Sequence, residues 1–478
     1  MEETSGVNDS SRIIQTDLNA KDGQDKCPKC GATDISLNPK TGLLRCNFCR
    51  YEFKPETVEE LNTNISELNG DVMGSAAQDI STDSENVITL KCSSCGAEVV
   101  IDTAEATQAR CHWCRSTLSI NQQIPNGSVP DVVLPFKLTK AEAKAQIENF
   151  VGRRKFFAHP KFRQEFTTEN IMGVYFPYMV VDINSHAFLL GKGEKQVRRY
   201  TRGSGENQRT YYDADLYTVG RDFDLAIDDL TIESNSDRLN KNASGKTNNI
   251  INSIMPFDTE NCVKWNSNYL KGYTSERRDT NVEQLRPIVN AQAKDIAKFA
   301  ANNTIKEYDR GVCWETQNFD VKGSLWKTAY LPVWLYSYQE DKGDKKLLHY
   351  VAVNARTKET MGSVPIHMPK LLGISALVEL LGILLMMFVD SDYSFLFLLL
   401  GFIYFLVMYL KYRNTNAKHH YETETKSNMQ NLRKKDEFIR RETGLSNSKI
   451  NGANNTSATA ENITETLMNG INSINPFK

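Results

Sequence analysis

An excess of charge of either sign is missing: 57 Lys and Arg stand against 59 Asp and Glu, a net of −2. A protein that wraps nucleic acid usually carries a basic excess, so the balance argues against that class. The opening MEETSGVNDSSRIIQ lacks a basic start followed by an apolar run, so no signal peptide is legible. The 10 cysteines are therefore expected in a reducing compartment, where CxxC spacing favours metal over disulfide. Also missing are a GxSxG elbow, an HExxH helix and a Rossmann glycine fingerprint. No catalytic residue is assigned, no small-molecule substrate is evident, and the chain is not expected to be an enzyme.

What is present begins with sulfur. Cys27, Cys30, Cys46 and Cys49 read C-x2-C-x15-C-x2-C, and Cys92, Cys95, Cys111 and Cys114 repeat that spacing at a constant offset. Gly31 with Gly96, Ala32 with Ala97 and Arg50 with Arg115 extend the match, which marks an internal duplication. A CxxC turn aims two thiolates at one point, and two such knuckles close a tetrahedron around Zn²⁺. Each module is too short for a core of its own, so metal would supply its folding free energy, on the order of 10 kcal/mol or more. Two zinc ions per chain are expected. Redox CxxC pairs and an iron–sulfur site are the alternatives. Four thiolates leave no open position, so catalytic zinc is not expected. Cys262 and Cys313 have no partner motif and read as core cysteines.

The expected fold class is α+β, in several parts. Residues 1–26 and 444–478 read as disordered. Ribbons occupy 27–54 and 91–118, and an acidic, solvated linker occupies 55–90. An α+β domain fills 131–369. In it Thr139 and Glu142 form a capping box, ahead of Ala143, Ile147, Phe150 and Val151 on one helical face. "GVYFPYMVVDI", "AFLLGKG" and "YYDADLYTV" read as strands. A second helix includes Leu285, Val289 and Ile296, with Pro287 near its first turn or at a kink. Glu276, Arg277, Arg278 and Asp279 read as a solvated helix start. The domain ends in a β-meander. Its proline-bearing strands, around Pro177 and Pro332, are expected at sheet edges. Residues 411–443 read as a mixed-charge helix.

Leu371 to Val389 is an apolar run with one charge, and Ser394 to Leu410 is a second run with none. A spanning helix needs about 20 apolar residues, with about 17 the practical minimum. The two runs, separated by "DSDY", meet that requirement and read as a transmembrane α-helical hairpin. Lys370, Lys411, Arg413 and Lys418 flank it, and the connection has no Lys or Arg. Both large ends are thus expected in the cytoplasm. Glu379 lies mid-span, where a lone carboxyl is costly and functional by default. Ser375 and Gly382 share its face, and Tyr404 lies where it could meet it past the turn. One reading is a carboxyl bonded within the hairpin. The other is a docking point for another membrane protein's helix.

Together these segments resemble a family. The ribbons, "VYFPYMVVD", "MPFDTENCVKWNSNYLKGYTSERRD", "YLPVWLYSY" with "HYVAVNARTKETMGSVPI", and the hairpin are similar to the bacterial transcription-factor-IIB-type zinc-ribbon membrane proteins. These come mostly from Gram-positive bacteria, and the resemblance covers about residues 27–410. Members are sometimes labelled replication-restart helicases on their ribbons alone. Here "SGKT" at 244–247 has Asn240 where a phosphate loop needs Gly, so no nucleotide motor is supported. Some relatives accompany envelope-stress proteins, which implies a membrane scaffold with protein partners. The other class is a membrane-tethered nucleic-acid binder, with Phe48 and Trp113 stacking on bases. One oddity is that "INSIMPF" at 251–257 recurs as "INSINPF" at 471–477, so the tail could compete for the docking site of the internal copy.

Overall fold

A computed structural model of the chain describes residues 130–444, apart from 204–207, 237–250, 266–268, 270–272, 343–344, 389–393 and 414–418. Before residue 130 it describes 12–14, most of 27–54, 64–78, 87–91, 98–102, 110–111 and 123–124. The fold is mixed α+β with one large sheet, seven helices and two apolar helices among the described residues.

The N-terminal part supplies short pieces. These are β1 (Arg12–Ile14), β2 (Ile35–Asn38), β3 (Leu43–Cys46), β4 (Glu52–Phe53), β5 (Gly70–Gly74), α1 (Ser75–Gln78), β6 (Val87–Lys91), β7 (Glu98–Asp102) and β8 (Gln123–Ile124). The domain continues with β9 (Val132–Val133), α2 (Lys140–Gly152), α3 (Pro160–Glu165), β10 (Met172–Arg202) and β11 (Arg209–Glu233). Then come β12 (Val263–Lys264), β13 (Thr274–Glu276), α4 (Val282–Asn303), β14 (Val312–Lys342), β15 (Lys345–Asn354) and β16 (Thr360–Gly362). The apolar helices are α5 (Met368–Phe388) and α6 (Leu400–Arg413), and α7 (Tyr421–Glu424) and β17 (Lys426–Gly444) follow.

Two strands of 31 residues, β10 and β14, run antiparallel through the centre. "GVYFPYMVVDI" and "AFLLGKG" are one strand, bent by bulges rather than broken by a turn. Side chains alternate across it: Val174, Phe176, Tyr178 and Val180 enter one core, while Met179 and Val181 enter another. Helix α4 covers the second face with Leu285, Val289, Ala293 and Ile296, all fully buried. Pro287 lies inside this helix, and Asn281 and Gln284 form a capping box at its start. Helix α2 begins with the expected Thr139–Glu142 capping box, and its expected face is buried. The meander β14–β15–β16 is antiparallel, as the sequence suggests.

Several expectations fail, each because a distant partner outweighs the local signal. Pro177 and Pro332 are central, not at sheet edges. They lie beside each other, with Tyr175 paired to Pro332 and Pro177 to Tyr330. Each falls where its strand changes neighbour. β10 passes from β13 at Tyr175 to β11 at Tyr178, and β14 passes from β9 at Tyr330 to β15 at Val333. A missing N–H is tolerated at such a handover.

The acidic linker is also partly captured. β5 pairs in parallel with both β14 and β1, so residues 12–14 are a strand as well. Val72 and Met73 are buried, and Asp71 meets Arg286 at 2.7 Å and the Ser324 hydroxyl at 2.6 Å. Gly323 allows the crossing, since a Cβ there would lie 2.6 Å from the Leu68 carbonyl.

Residues 426–444 are a strand on β11, not a helix. Arg221 on β11, 1% exposed, requires a charge partner, and Asp436 supplies it at 2.6 Å. Phe438 adds a ring contact to Tyr217. Glu276 and Arg278 are buried beside β13 rather than solvated. Cys313 is exposed rather than core. The internal "INSIMPF" is built into the core, with Ile251 and Ile254 fully buried and Asn354 donating to the Ile254 and Pro256 carbonyls. The C-terminal copy lies outside the described residues.

Candidate metal centre and apolar helix pair

The first cysteine module is a three-stranded antiparallel sheet, β2–β3–β4. Ile35 pairs with Cys46 and Leu44 with Phe53. The second knuckle turns back through Arg50, whose φ is +58°, so the Arg50 N–H reaches the Cys46 carbonyl at 2.9 Å. The turn brings four sulfur atoms together. Cys27 Sγ and Cys49 Sγ are 3.6 Å apart, as are Cys30 Sγ and Cys46 Sγ. All four lie within 4.8 Å of one another. A tetrahedron with metal–sulfur bonds of about 2.3 Å has edges of about 3.8 Å, so the donor set fits a closed tetrahedral ion.

Electrostatics point the same way. Burial raises the Cys27 thiol, but the Lys29 and Cys30 N–H groups and the neighbouring thiols outweigh it and hold it at about 7. The Ala32 N–H lowers Cys30, yet burial and the other three thiols push it up to about 12. One thiolate forms readily and makes the next costly, an arrangement a divalent cation relieves. Ile35 and Leu44 belong to the apolar cluster that also holds Phe162, Tyr336 and Trp334, so the module leans on the main domain.

The second module is incompletely described. Cys111 is buried beside Val99, and Cys92, Cys95 and Cys114 lie outside the described residues. Its hairpin β6–β7 is stitched into the large sheet through β13, with Ser275 opposite Val100.

A 3-10 segment, Ser394–Leu399, runs directly into α6, and with it the second span is Leu396–Arg413. That span and Met368–Phe388 are long and apolar enough to cross a membrane, and both are mostly exposed. Leu377, Leu380, Leu381, Phe402 and Val407 are more than half exposed, unlike the helices of a soluble core. The buried stripe of α5 is Leu371, Ser375 and Gly382. Glu379, half-buried on that stripe, accepts the Gly401 N–H at 2.8 Å. That N–H belongs to the first turn of α6, directly after the 3-10 segment Ser394–Leu399. Close approach demands glycine here: a Cβ on Gly401 would lie 2.4 Å from the Ser375 carbonyl. Tyr404 does not meet Glu379 among the described residues. Its ring packs 6.4 Å from Phe157, toward the main domain.

The base of the helix pair is strapped down. The Tyr412 hydroxyl accepts the Phe157 N–H at 2.8 Å, Arg154 donates to the Lys411 carbonyl, and Lys370 donates to the Phe156 carbonyl.

A second grouping escaped the sequence reading. Asp182, Asp228 and Asp229 converge where β11 bulges against β10. The available signal was acid within apolar runs, "MVVDI" and "AIDDL". Burial pushes Asp182 up to about 6, although Lys327 opposes the shift. Lys327 already sits 2.9 Å from Asp182 and 3.1 Å from Asp229, so one cation within the protein offsets part of this charge.

No protein-family model matches this sequence, and no match emerges among curated proteins or solved structures.

Proposed function

We propose that this chain is a non-enzymatic, membrane-anchored zinc-ribbon scaffold. In this reading the apolar pair is a transmembrane hairpin with both large ends in the cytoplasm. The two cysteine modules hold one structural zinc each and recruit protein partners at the inner membrane face. The resemblance to the transcription-factor-IIB-type membrane proteins adds envelope stress as the setting.

One observation carries the reading: an apolar helix pair with exposed flanks, collared by Arg154, Lys370, Lys411 and Arg413 at its base. Such a surface suits lipid, and the cations suit the cytoplasmic headgroups. The recruiting role is supported by Phe48, 81% exposed on the second knuckle of a closed metal site. An exposed aromatic on a rigid turn is a typical partner anchor.

The test is affinity purification from membranes, with partners identified by mass spectrometry. The protein should fractionate with membranes, and Phe48→Ala should lose partners that the unaltered chain retains. Recovery in the soluble fraction would defeat the anchor. An unchanged partner set in Phe48→Ala and in a Cys46→Ser/Cys49→Ser variant would defeat the recruiting role.

A further inference from the structure

The far end of the β10–β11 hairpin differs from the rest of the molecule. Residues 195–212 hold Lys195, Arg198, Arg199, Arg202 and Arg209 against the single carboxylate Glu206, in a chain of net −2. No described residue from Lys195 to Arg209 is buried. From Gly193, the last buried position, to Arg202 the strand runs about 30 Å, at about 3.3 Å per residue. The β10 side of this arm adds nothing to the core, while Tyr212 and Ala214 are buried opposite Arg199 and Gln196, so the exposed tip lies beyond them.

Pairing sorts these side chains onto faces. Tyr200 is opposite Tyr211, and Arg202 is opposite Arg209. One face therefore carries Arg198, Tyr200 and Arg202 on β10 and Arg209 and Tyr211 on β11. The two tyrosine rings stack with centroids 6.0 Å apart at 19°. Arg198 and Arg202 flank Tyr200, at 5.6 Å and 5.2 Å from its centroid. The Arg202–Arg209 pair sets like charges directly opposite, which destabilises a hairpin. Among the described residues no carboxylate pairs with any of these arginines. Nearby acids serve elsewhere: Glu194 accepts the Tyr212 hydroxyl and Asp309 accepts the Gln196 N–H. Asp213, opposite Arg198, forms no ion pair with it.

We infer that this hairpin tip binds single-stranded nucleic acid, with the arginines on phosphates and the Tyr200–Tyr211 pair as a stacking platform for bases. Unpaired guanidiniums interleaved with ring faces are what an unstacked strand requires. A duplex keeps its base faces inside. The bilayer suits the site poorly, because Tyr175 shares a core with Leu371 and Tyr412 at the helix pair, and Arg202 lies about 90 Å of strand further along β10. The inference is independent of the scaffold reading and moves nucleic-acid contact away from the cysteine modules.

The test uses the full chain in nanodiscs of zwitterionic lipid. Anisotropy is read with oligo-dT and oligo-U probes of about 20 nucleotides, with a matching duplex and with vesicles of anionic phospholipid as competitors. The unaltered chain should bind both single strands and prefer them to the duplex. Arg202→Glu is the decisive variant. It turns a repelling cross-strand pair into an attracting one, so the hairpin should fold at least as well while affinity drops about tenfold. Arg198→Ala/Arg202→Ala/Arg209→Ala should lower the slope of log affinity against log salt by about 2. Tyr200→Leu should cost about fivefold or more with the slope unchanged. Failure to bind the probes would overturn the inference, as would full affinity in Arg202→Glu. Arginine dependence without tyrosine dependence would show polyanion adhesion only and would overturn it too. So would stronger binding to the anionic vesicles, or binding lost only in Cys46→Ser/Cys49→Ser.

Discussion

The first cysteine module and the long-strand sheet are both antiparallel β structure, held by opposite means. The module has three strands of two to four residues, and its centre is four sulfur atoms. The sheet has two strands of 31 residues with apolar side chains buried on both faces. The first is specified by spacing within one short segment, Cys27 to Cys49, which gathers four sulfur atoms that could hold an ion. The second is specified by contacts across the whole chain and by apolar burial. The two parts should therefore fail under different insults.

The largest separation comes from removing metal. Chelation, or Cys46→Ser/Cys49→Ser, should abolish hydrogen-exchange protection over Ile35–Phe53 and leave β10 and β14 protected. Retained protection in the module would mean that Ile35 and Leu44, through the shared core, suffice without an ion.

The converse insult is Trp326→Ala. Trp326 is 1% exposed beneath α4, and its loss should cost about 3–5 kcal/mol in denaturant unfolding of the sheet. Metal content should not change. A parallel loss of metal would show that the two regions fold as one unit.

The helix pair lies between these extremes, because packing rather than metal or a water-excluding core holds it. Gly401→Val should force α5 and α6 apart and take the Gly401 N–H from Glu379, costing about 1–3 kcal/mol. Thermal unfolding in detergent, with disulfide trapping between the helices, would read this. Unchanged trapping would refute the close approach.

The smallest expected effect lies at the sheet's polar joint. Asp224 receives Lys322, the Asn431 amide at 2.9 Å and His186 at 3.0 Å. Burial raises its carboxyl, but these donors outweigh burial and hold it well below the usual range. A depressed carboxyl stabilises the fold above its unfolded value, and the stabilisation is lost as pH falls. Asp224→Asn should thus cost about 1 kcal/mol near neutrality, since the joint is partly screened by solvent. The gap from the unaltered chain should begin to narrow below about pH 4 and close only as pH falls through the depressed value of the folded carboxyl. A gap that persists in acid would assign the effect to shape rather than charge.

The same contrast explains what the sequence could reveal. The CxxC spacing, the Thr139–Glu142 capping box and the apolar runs are local signals, and each corresponds to a local structure. The strand at 426–444 reads as helix in the sequence because Lys, Arg and Glu favour helices in isolation. Only the open edge of β11 and the buried Arg221 make it a strand, and neither lies nearby in the sequence. Residues 70–74 look like spacer because Gly70, Asp71 and Gly74 surround two apolar residues. Their role depends on Arg286 and Gly323, both distant in the sequence. The prolines at 177 and 332 mislead for a similar reason: a change of neighbouring strand leaves no local mark. Glu379 stands out in the sequence by its setting, but the group it accepts from is the Gly401 backbone N–H, which has no side-chain signature.

Metal analysis of the purified full chain tests the central claim most directly. The account predicts two zinc ions per chain by mass spectrometry of the elements, falling to one in Cys46→Ser/Cys49→Ser. One ion in the unaltered chain would remove the second module from the account. Absence of metal, or a content unaffected by those substitutions, would contradict the reading of Cys27, Cys30, Cys46 and Cys49 as a metal centre.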